Sequence, residues 1–283
     1  MKAYPALEIR AADPGRLCAA VDDLCATAIE ERDDSVRVFF SCAAARDQAQ
    51  SALAPEFDVS PIDVSDEDWA RRSQADLQPV TVGRLIVSPS PEPLAPGREH
   101  LTASPQPLAL PPFVIVITPS MGFGTGHHAT TRLCLAALQT LDLTGRIVLD
   151  VGTGSGVLAI AADRLGAARA LGIDHDPDAV QAARENLRVN PAAQRVTFTV
   201  DDFRGAALPS ADVVTANLTG TLLVQSAGKL LGAVRNGGTL IVSGLMSGER
   251  DEVVRALASG APNDRIVWER EEDGWVGLAV KKP

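Results

Sequence analysis

The sequence is poor in aromatic residues: Phe, Trp and Tyr together make up 4% of its 283 residues, with a single Tyr. A core must then be assembled from Ala, Leu and Val. A stacking platform for single-stranded nucleic acid is disfavoured, because such platforms are made of aromatic rings. Cysteine is equally sparse. Cys18, Cys25, Cys42 and Cys134 are too few and too scattered for a disulfide scaffold, and no C-x-x-C pair signals a structural zinc site. A reducing, cytoplasmic compartment is the expectation. No apolar run approaches the roughly 20 residues of a membrane-spanning helix, and residues 1–8 lack the long apolar stretch of a secretory signal. Bases are also in deficit, with 26 Lys and Arg against 36 Asp and Glu, for a net charge of −10. An acidic chain repels phosphate backbones, so direct nucleic-acid binding is disfavoured and a basic partner is favoured.

What is present is the composition of a globular protein, 46% hydrophobic and 22% charged, which excludes global disorder. The length suggests two domains. Residues 1–64 read as a small α+β unit. Strands are expected at 4–10, 36–41 and 57–64, and a helix at 43–53. Asp13-Pro14 reads as a helix N-cap followed by proline at the first helical position. Leu17, Val21, Leu24 and Ala28 follow at the spacing of one helix face. Residues 1–60 carry six Lys/Arg against eleven Asp/Glu, which fits either a solvated acidic surface or a docking module for a basic partner. Residues 65–112 read as a helix bearing Trp69, a strand at 81–88 and a loop or hinge at 89–112. That loop holds eight prolines, a density incompatible with helix or central strand.

From residue 113 the pattern changes to alternating strands and helices. Strands are expected at 113–118, 146–151, 170–174, 196–200, 212–217 and 239–244. Several are apolar on both faces, as in a parallel sheet covered by helices. Two last strands, 266–270 and 275–281, are joined through Asp273-Gly274, a hairpin signal. The fold class is therefore α/β: a Rossmann-like sheet ending in an antiparallel hairpin over residues 113–283, preceded by the small α+β domain.

The strongest chemical signal is Asp150-Val151-Gly152-Thr153-Gly154-Ser155-Gly156, directly after an apolar strand and opening a helix. Its spacing is G-x-G-x-G, which differs from the G-x-G-x-x-G of dinucleotide sites. Glycines let a ligand press on bare backbone, and the helix N-terminus offers unpaired N–H groups to a carboxylate or phosphate. Asp174 ends the next strand, where its carboxylate can accept both hydroxyls of a ribose. Loop, acid and terminal hairpin together indicate a class I methyltransferase using S-adenosyl-L-methionine, against a nicotinamide or flavin site. Asp202, at the end of the third strand, is either the acceptor for an adenine amino group or a solvent-facing loop acid.

Two further segments narrow the class. They are Gly122-Phe123-Gly124-Thr125-Gly126-His127-His128-Ala129-Thr130-Thr131 and Ala216-Asn217-Leu218. With the glycine loop and Gly172-Ile173-Asp174, they resemble the ribosomal protein L11 methyltransferase family over about residues 121–245. The resemblance implies cofactor contacts at Thr131, Gly152, Asp174 and Asn217, to which the glycine loop itself adds Gly154 and the end of the third strand adds Asp202 as candidates. It also implies catalytic alignment of the attacking amine by Asn217, and a substrate-facing or lid role for Phe123 and His128. His127 falls at the variable position of the motif. No metal is expected, since adjacent histidines do not converge on one ion. The implied substrate is a basic, ribosomal protein methylated on lysine or N-terminal amines. A small-molecule methyltransferase on the same cofactor core is the alternative. A nucleic-acid base methyltransferase is opposed by the charge and by Asn217-Leu218-Thr219-Gly220, where N-P-P-Y or D-P-P-Y is usual. The family commonly continues past this Asn with small residues and a proline, which this chain lacks.

Overall fold

A computed structural model describes residues 3–10, 24, 26–31, 35–65, 77–90, 112–118, 126–205, 207–258 and 265–283. The chain divides into two compact units, Met1–Asp76 and Leu77–Pro283.

The first unit contains β1 (Ala3–Arg10), β2 (Ala28–Glu31), β3 (Val36–Phe39), α1 (Ala43–Leu53) and β4 (Asp58–Ser65). The strands form one antiparallel sheet in the order β2-β3-β1-β4. Alternation places Leu7 and Ile9 of β1 with Val36 and Val38 of β3 on one face, where they bury Ala49 and Leu53 of α1. Ala28 was expected on a helix face and lies instead in a strand, paired with Phe39. The start of that helix, at residues 11–23, lies outside the described residues, as do residues 66–76 with Trp69.

The second unit opens with a three-stranded sheet of β5 (Val80–Val82), β6 (Leu85–Ser88) and β7 (Phe113–Val116), in which β6 and β7 run parallel. This revises two expectations. Residues 77–90 belong with the second unit, so the division falls at 76/77. Residues 113–116 form a strand of this separate sheet and are no part of the large one. Both differences have one cause: the apolar run of β7 meets its partner, β6, across the proline-rich segment, a pairing invisible to local pattern.

The large sheet contains β8 (Ile147–Val151), β9 (Arg169–Asp174), β10 (Val196–Val200), β11 (Ala211–Asn217), β12 (Val234–Met246), β13 (Ile266–Glu272) and β14 (Trp275–Lys281). Its order is β10-β9-β8-β11-β12-β14-β13. The first five strands are parallel, and β14 runs antiparallel between β12 and β13. The helices are α2 (Ala129–Leu138), α3 (Val157–Arg164), α4 (Pro177–Arg188), α5 (Gly220–Ala233) and α6 (Arg250–Ala258). Successive residues of each strand serve opposite faces. Val148, Val213 and Ile241 pack with Leu135, Leu138 and Leu158 on one side. Leu149, Val214 and Leu240 pack with Leu223, Leu230 and Leu257 on the other. The expected hairpin is present: Asp273 and Gly274 both take positive φ, 53° and 77°, as the tight type I′ turn requires. Because β8 leads outward to β9 and β10 while β11 and β12 lie on its other side, the carboxyl ends of β8 and β11 flank a topological switch point. Open α/β sheets bind ligands there.

Candidate active site

Strand register delivers three of the expected residues to one edge. Ala216 pairs with Val151, and Val151 with Ile173. The next residues of the three strands, Asn217, Gly152 and Asp174, therefore leave the sheet side by side. Thr131 lies on a different element, buried in the first turn of α2.

The glycine loop turns sharply between β8 and α3. Gly152, Gly154 and Gly156 have φ of 71°, 51° and 82°, a region that side-chain-bearing residues rarely adopt. Gly156 is the N-cap of α3 and offers no side chain to the first turn, where the Ala159 N–H is given to the Asp150 carboxylate; the N–H groups of such a turn suit an anion. A Cβ on Gly152 would come within 2.6 Å of Leu218 Cδ2, which explains why only bare backbone fits beside the end of β11.

The loop is held from below by Asp150, whose carboxylate is buried. One oxygen accepts from Thr153 Oγ1 and the other from Thr215 Oγ1, each at 2.6 Å. Burial pushes its carboxyl up to about 6, while the two hydroxyl donors pull the other way. The Asp174 carboxylate accepts the Gly154 N–H at 3.0 Å and the Asp176 N–H at 3.1 Å, with His175 Nδ1 at 3.3 Å. A carboxylate has about four acceptor sites, so this one is oriented by backbone and retains capacity for a diol.

Thr131 and Asn217 share an unusual property. Thr131 Oγ1 and Asn217 Oδ1 are buried and have no hydrogen-bond partner among the described residues. Buried polar atoms are nearly always paired in native proteins. Two orphans, one on α2 and one at the end of β11, fit a site shaped for a polar ligand and its reaction partner.

His128 caps α2. Its Nδ1 accepts from the Thr130 N–H and lies 2.8 Å from Thr130 Oγ1, which assigns the neutral ring's one N–H to Nε2. Its ring meets Trp275 edge-on, with centroids 4.9 Å apart. Burial and the neighbouring Arg132 charge lower its pKa, favouring the neutral ring. His127 places Nε2 2.8 Å from the Gln78 carbonyl. Phe123 lies outside the described residues. Asp202 is exposed, and its carboxylate is gripped by Arg204 through Nε at 2.9 Å and Nη2 at 3.0 Å. The Arg204 side chain and backbone N–H hold that carboxyl down to about 2. This is the geometry of the solvent-facing alternative. Among the described residues, no group of three or more His, Cys, Asp or Glu is placed to hold a metal, and no helix is long and apolar enough to cross a membrane.

Other participants escape sequence reasoning. Thr153 and Thr215 hold Asp150. Arg132 of α2 binds Glu272 at 2.5 Å, Asp273 at 3.0 Å and the His127 carbonyl, tying the segment before α2 to the terminal hairpin. Asn186 and Asn190 anchor β7. The only local signal for them is a polar residue continuing the buried row Ala179, Val180 and Ala183 of α4.

Comparison with known proteins agrees with this geometry. The model of the ribosomal protein L11 methyltransferase (PrmA) family matches residues 19–283. The ribosomal protein L11 methyltransferase of Burkholderia pseudomallei (strain 668) is 40% identical over 242 residues, covering 84% of this chain and 72% of the relative. That of Symbiobacterium thermophilum is 40% identical over 223 residues, covering 78% and 67%. A crystal structure of ribosomal protein L11 methylase from Lactobacillus delbrueckii subsp. bulgaricus is similar with a TM-score of 0.55 at 28% identity, over 64% of this chain and 92% of that one. The family model matched over residues 19–283 and relatives at 40% identity, on a sheet with its glycine loop at the switch point, establish that this chain belongs to the ribosomal protein L11 methyltransferase family, whose members use S-adenosyl-L-methionine.

Proposed function

We propose that the chain methylates lysine or N-terminal amines of a ribosomal protein, the L11 homologue of its own cytoplasm, and that the side-by-side exit of Gly152, Asp174 and Asn217 is the reaction site. The register that places these three residues at one edge carries the reading. Bound S-adenosylmethionine supplies a methyl group already activated on a sulfonium. The protein's work is therefore chiefly alignment, bringing the reacting atoms to about 3–3.5 Å. In this reading Asp174 accepts the ribose hydroxyls, and Gly152 and Gly154 give the backbone close approach. Thr131 Oγ1 and N–H groups at the start of α3 receive the carboxylate end. Asn217 Oδ1, without a hydrogen-bond partner among the described residues, accepts a hydrogen bond from the attacking amine.

The amine must be neutral to react. A free lysine has a pKa near 10.4, so at pH 7 only about one in 2,500 is uncharged, a cost of about 4.6 kcal/mol. An apolar pocket recovers part of this by lowering the pKa. Asp150 is committed to two threonines and Asp174 to two backbone N–H groups, so the proton passes to water before transfer. The acidic residues of the first unit supply docking for a basic protein by charge complementarity.

Labelled cofactor incubated with ribosomal proteins is expected to mark amines of one of them. In that assay Asp174→Ala weakens cofactor binding roughly 10- to 150-fold by calorimetry, the loss of hydrogen bonds to a charged group. Asn217→Ala lowers the rate at every pH without moving the inflection of the pH profile. A profile flat from pH 6 to 10 with transfer rate-limiting overturns the amine mechanism. Unchanged affinity in Asp174→Ala places the ribose elsewhere.

A further inference from the structure

We propose that Asn186 is a positioning residue that couples two backbone walls, the glycine loop and the chain at Thr118 just past β7, so that they order together. The proposal rests on the reading of that loop and of Asp174 given above.

One edge of β7 pairs with β6. Among the described residues no strand pairs with its other edge, which meets the end of α4 and the turn after it. Two asparagines take the place of that strand. Asn190 Oδ1 accepts the Val116 N–H at 2.9 Å, and its Nδ2 donates to the Val116 carbonyl at 2.7 Å. Asn186 Oδ1 accepts the Thr118 N–H at 2.9 Å. The match is geometric. Positions i and i+4 of a helix rise about 6.0 Å, and positions i and i+2 of a strand about 6.6 Å. Asn186 in the last turn of α4 and Asn190 just past its end approximate that spacing, and their amides serve Val116 at the end of β7 and Thr118 two residues on. Aspartate has no N–H to offer, and an aliphatic residue would orphan a buried peptide group.

Asn186 does something Asn190 does not. Asn190's other bond returns to its own helix, at the Asn186 carbonyl. The Asn186 Nδ2 instead donates to the Ser155 carbonyl at 2.9 Å, inside the glycine loop and one residue before the Gly156 cap of α3. Asn186 is buried, at 2% exposure, as is Ser155 at 1%. A single rigid amide thus holds the glycine loop with its nitrogen and the Thr118 backbone with its oxygen. Thr118 in turn leads through residues 119–128 into α2 and Thr131. A shift of either wall strains the same side chain, so ligand contact with one wall orders the other.

The test compares Asn186→Leu with Asn190→Leu, near-isosteric changes that each orphan peptide groups of β7. Calorimetry with S-adenosylhomocysteine, at a temperature where both variants remain folded, is expected to show about tenfold weaker binding for Asn186→Leu. Asn190→Leu stays within about twofold of wild type. Equal losses in the two variants overturn the proposal, since the effect is then general destabilisation. Hydrogen exchange on the wild-type protein serves if Asn186→Leu does not fold. Saturating S-adenosylhomocysteine is expected to slow the Thr118 amide together with the glycine-loop amides. Protection of the loop with none at Thr118 overturns the coupling. Asp174→Ala in the same titration separates the two readings. Weakened binding there with an unaffected Asn186→Leu defeats only the coupling, whereas unaffected binding in Asp174→Ala defeats the site itself.

Discussion

The two units solve the problem of polar groups in opposite ways. Among the described residues of the first unit, Arg37 is the one buried polar side chain, beside Glu8 at 3.5 Å, and its acids Asp47, Glu56, Asp58 and Asp63 stand in solvent. The second unit buries many more, among them Thr131, Asp150, Thr153, Ser155, Asn186, Thr215 and Ser243, besides others such as Asp163, Ser226 and Thr239 elsewhere in the unit. Those first named lie in the glycine loop, in the ends of β8, β11 and β12, or in the helices beside them. Burying a polar group is costly unless it is bonded. A cluster of such groups at one edge of a sheet therefore marks where geometry has been held fixed against that cost. The first unit leaves nearly all of its described polar side chains in contact with water.

The largest expected effect sharpens this contrast through pH. Asp150 has its carboxyl pushed above the ordinary value of 3.8, to about 6, by burial. An acid with a raised folded pKa binds more protons folded than unfolded between those values, so stability falls as pH rises through that window. Relative to Asp150→Asn, the wild type is expected to lose about 2–3 kcal/mol between pH 4 and pH 7, at about 1.36 kcal/mol per unit. Denaturant melts at the two pH values check this. A difference that does not change with pH means the carboxylate is better solvated than its burial implies.

A smaller effect tests the first unit. Glu56→Lys with Asp58→Lys is expected to raise KM for the ribosomal protein roughly fivefold at low salt, and less as ionic strength rises. Cofactor Kd should stay fixed. A salt-independent change in KM would mean that charge is not what the first unit contributes. The smallest effect concerns Asp202. With its carboxylate exposed and gripped by Arg204, Asp202→Asn should change cofactor Kd by about threefold or less. A loss of tenfold or more in calorimetry would show that Arg204 yields the carboxylate to adenine.

Much of the second unit is legible from local pattern, because its signals are local. Apolar runs such as Ile147-Val148-Leu149 state that a strand is covered on both faces. Asp273-Gly274 states its own turn, since few other pairs accept two positive φ angles. Asp176-Pro177 marks the start of α4 as N-cap and first residue, and Asp176 does accept the Asp178 N–H. Asp202 shows the boundary of such reasoning. The acid at a strand end is legible, but its partner two residues on depends on the turn between them.

The sequence by itself determined the alternation of strands and helices, the glycine loop with its flanking acids, and the family to which the chain belongs. The first two follow from backbone sterics and from the side-chain periods of 2 and 3.6, which act over a few residues; the family is carried by the likeness of its motifs to known relatives. Tertiary structure alone decided that β7 leaves the large sheet for β6, and that Thr215 completes the support of Asp150 across 65 positions of sequence. It also decided that Asn186 meets Ser155 and Thr118, 31 and 68 positions away. The physical reason is the same in each case. A buried donor or acceptor must be satisfied by whatever the fold brings within about 3 Å, and that partner is set by the packing of distant segments, which no local pattern encodes.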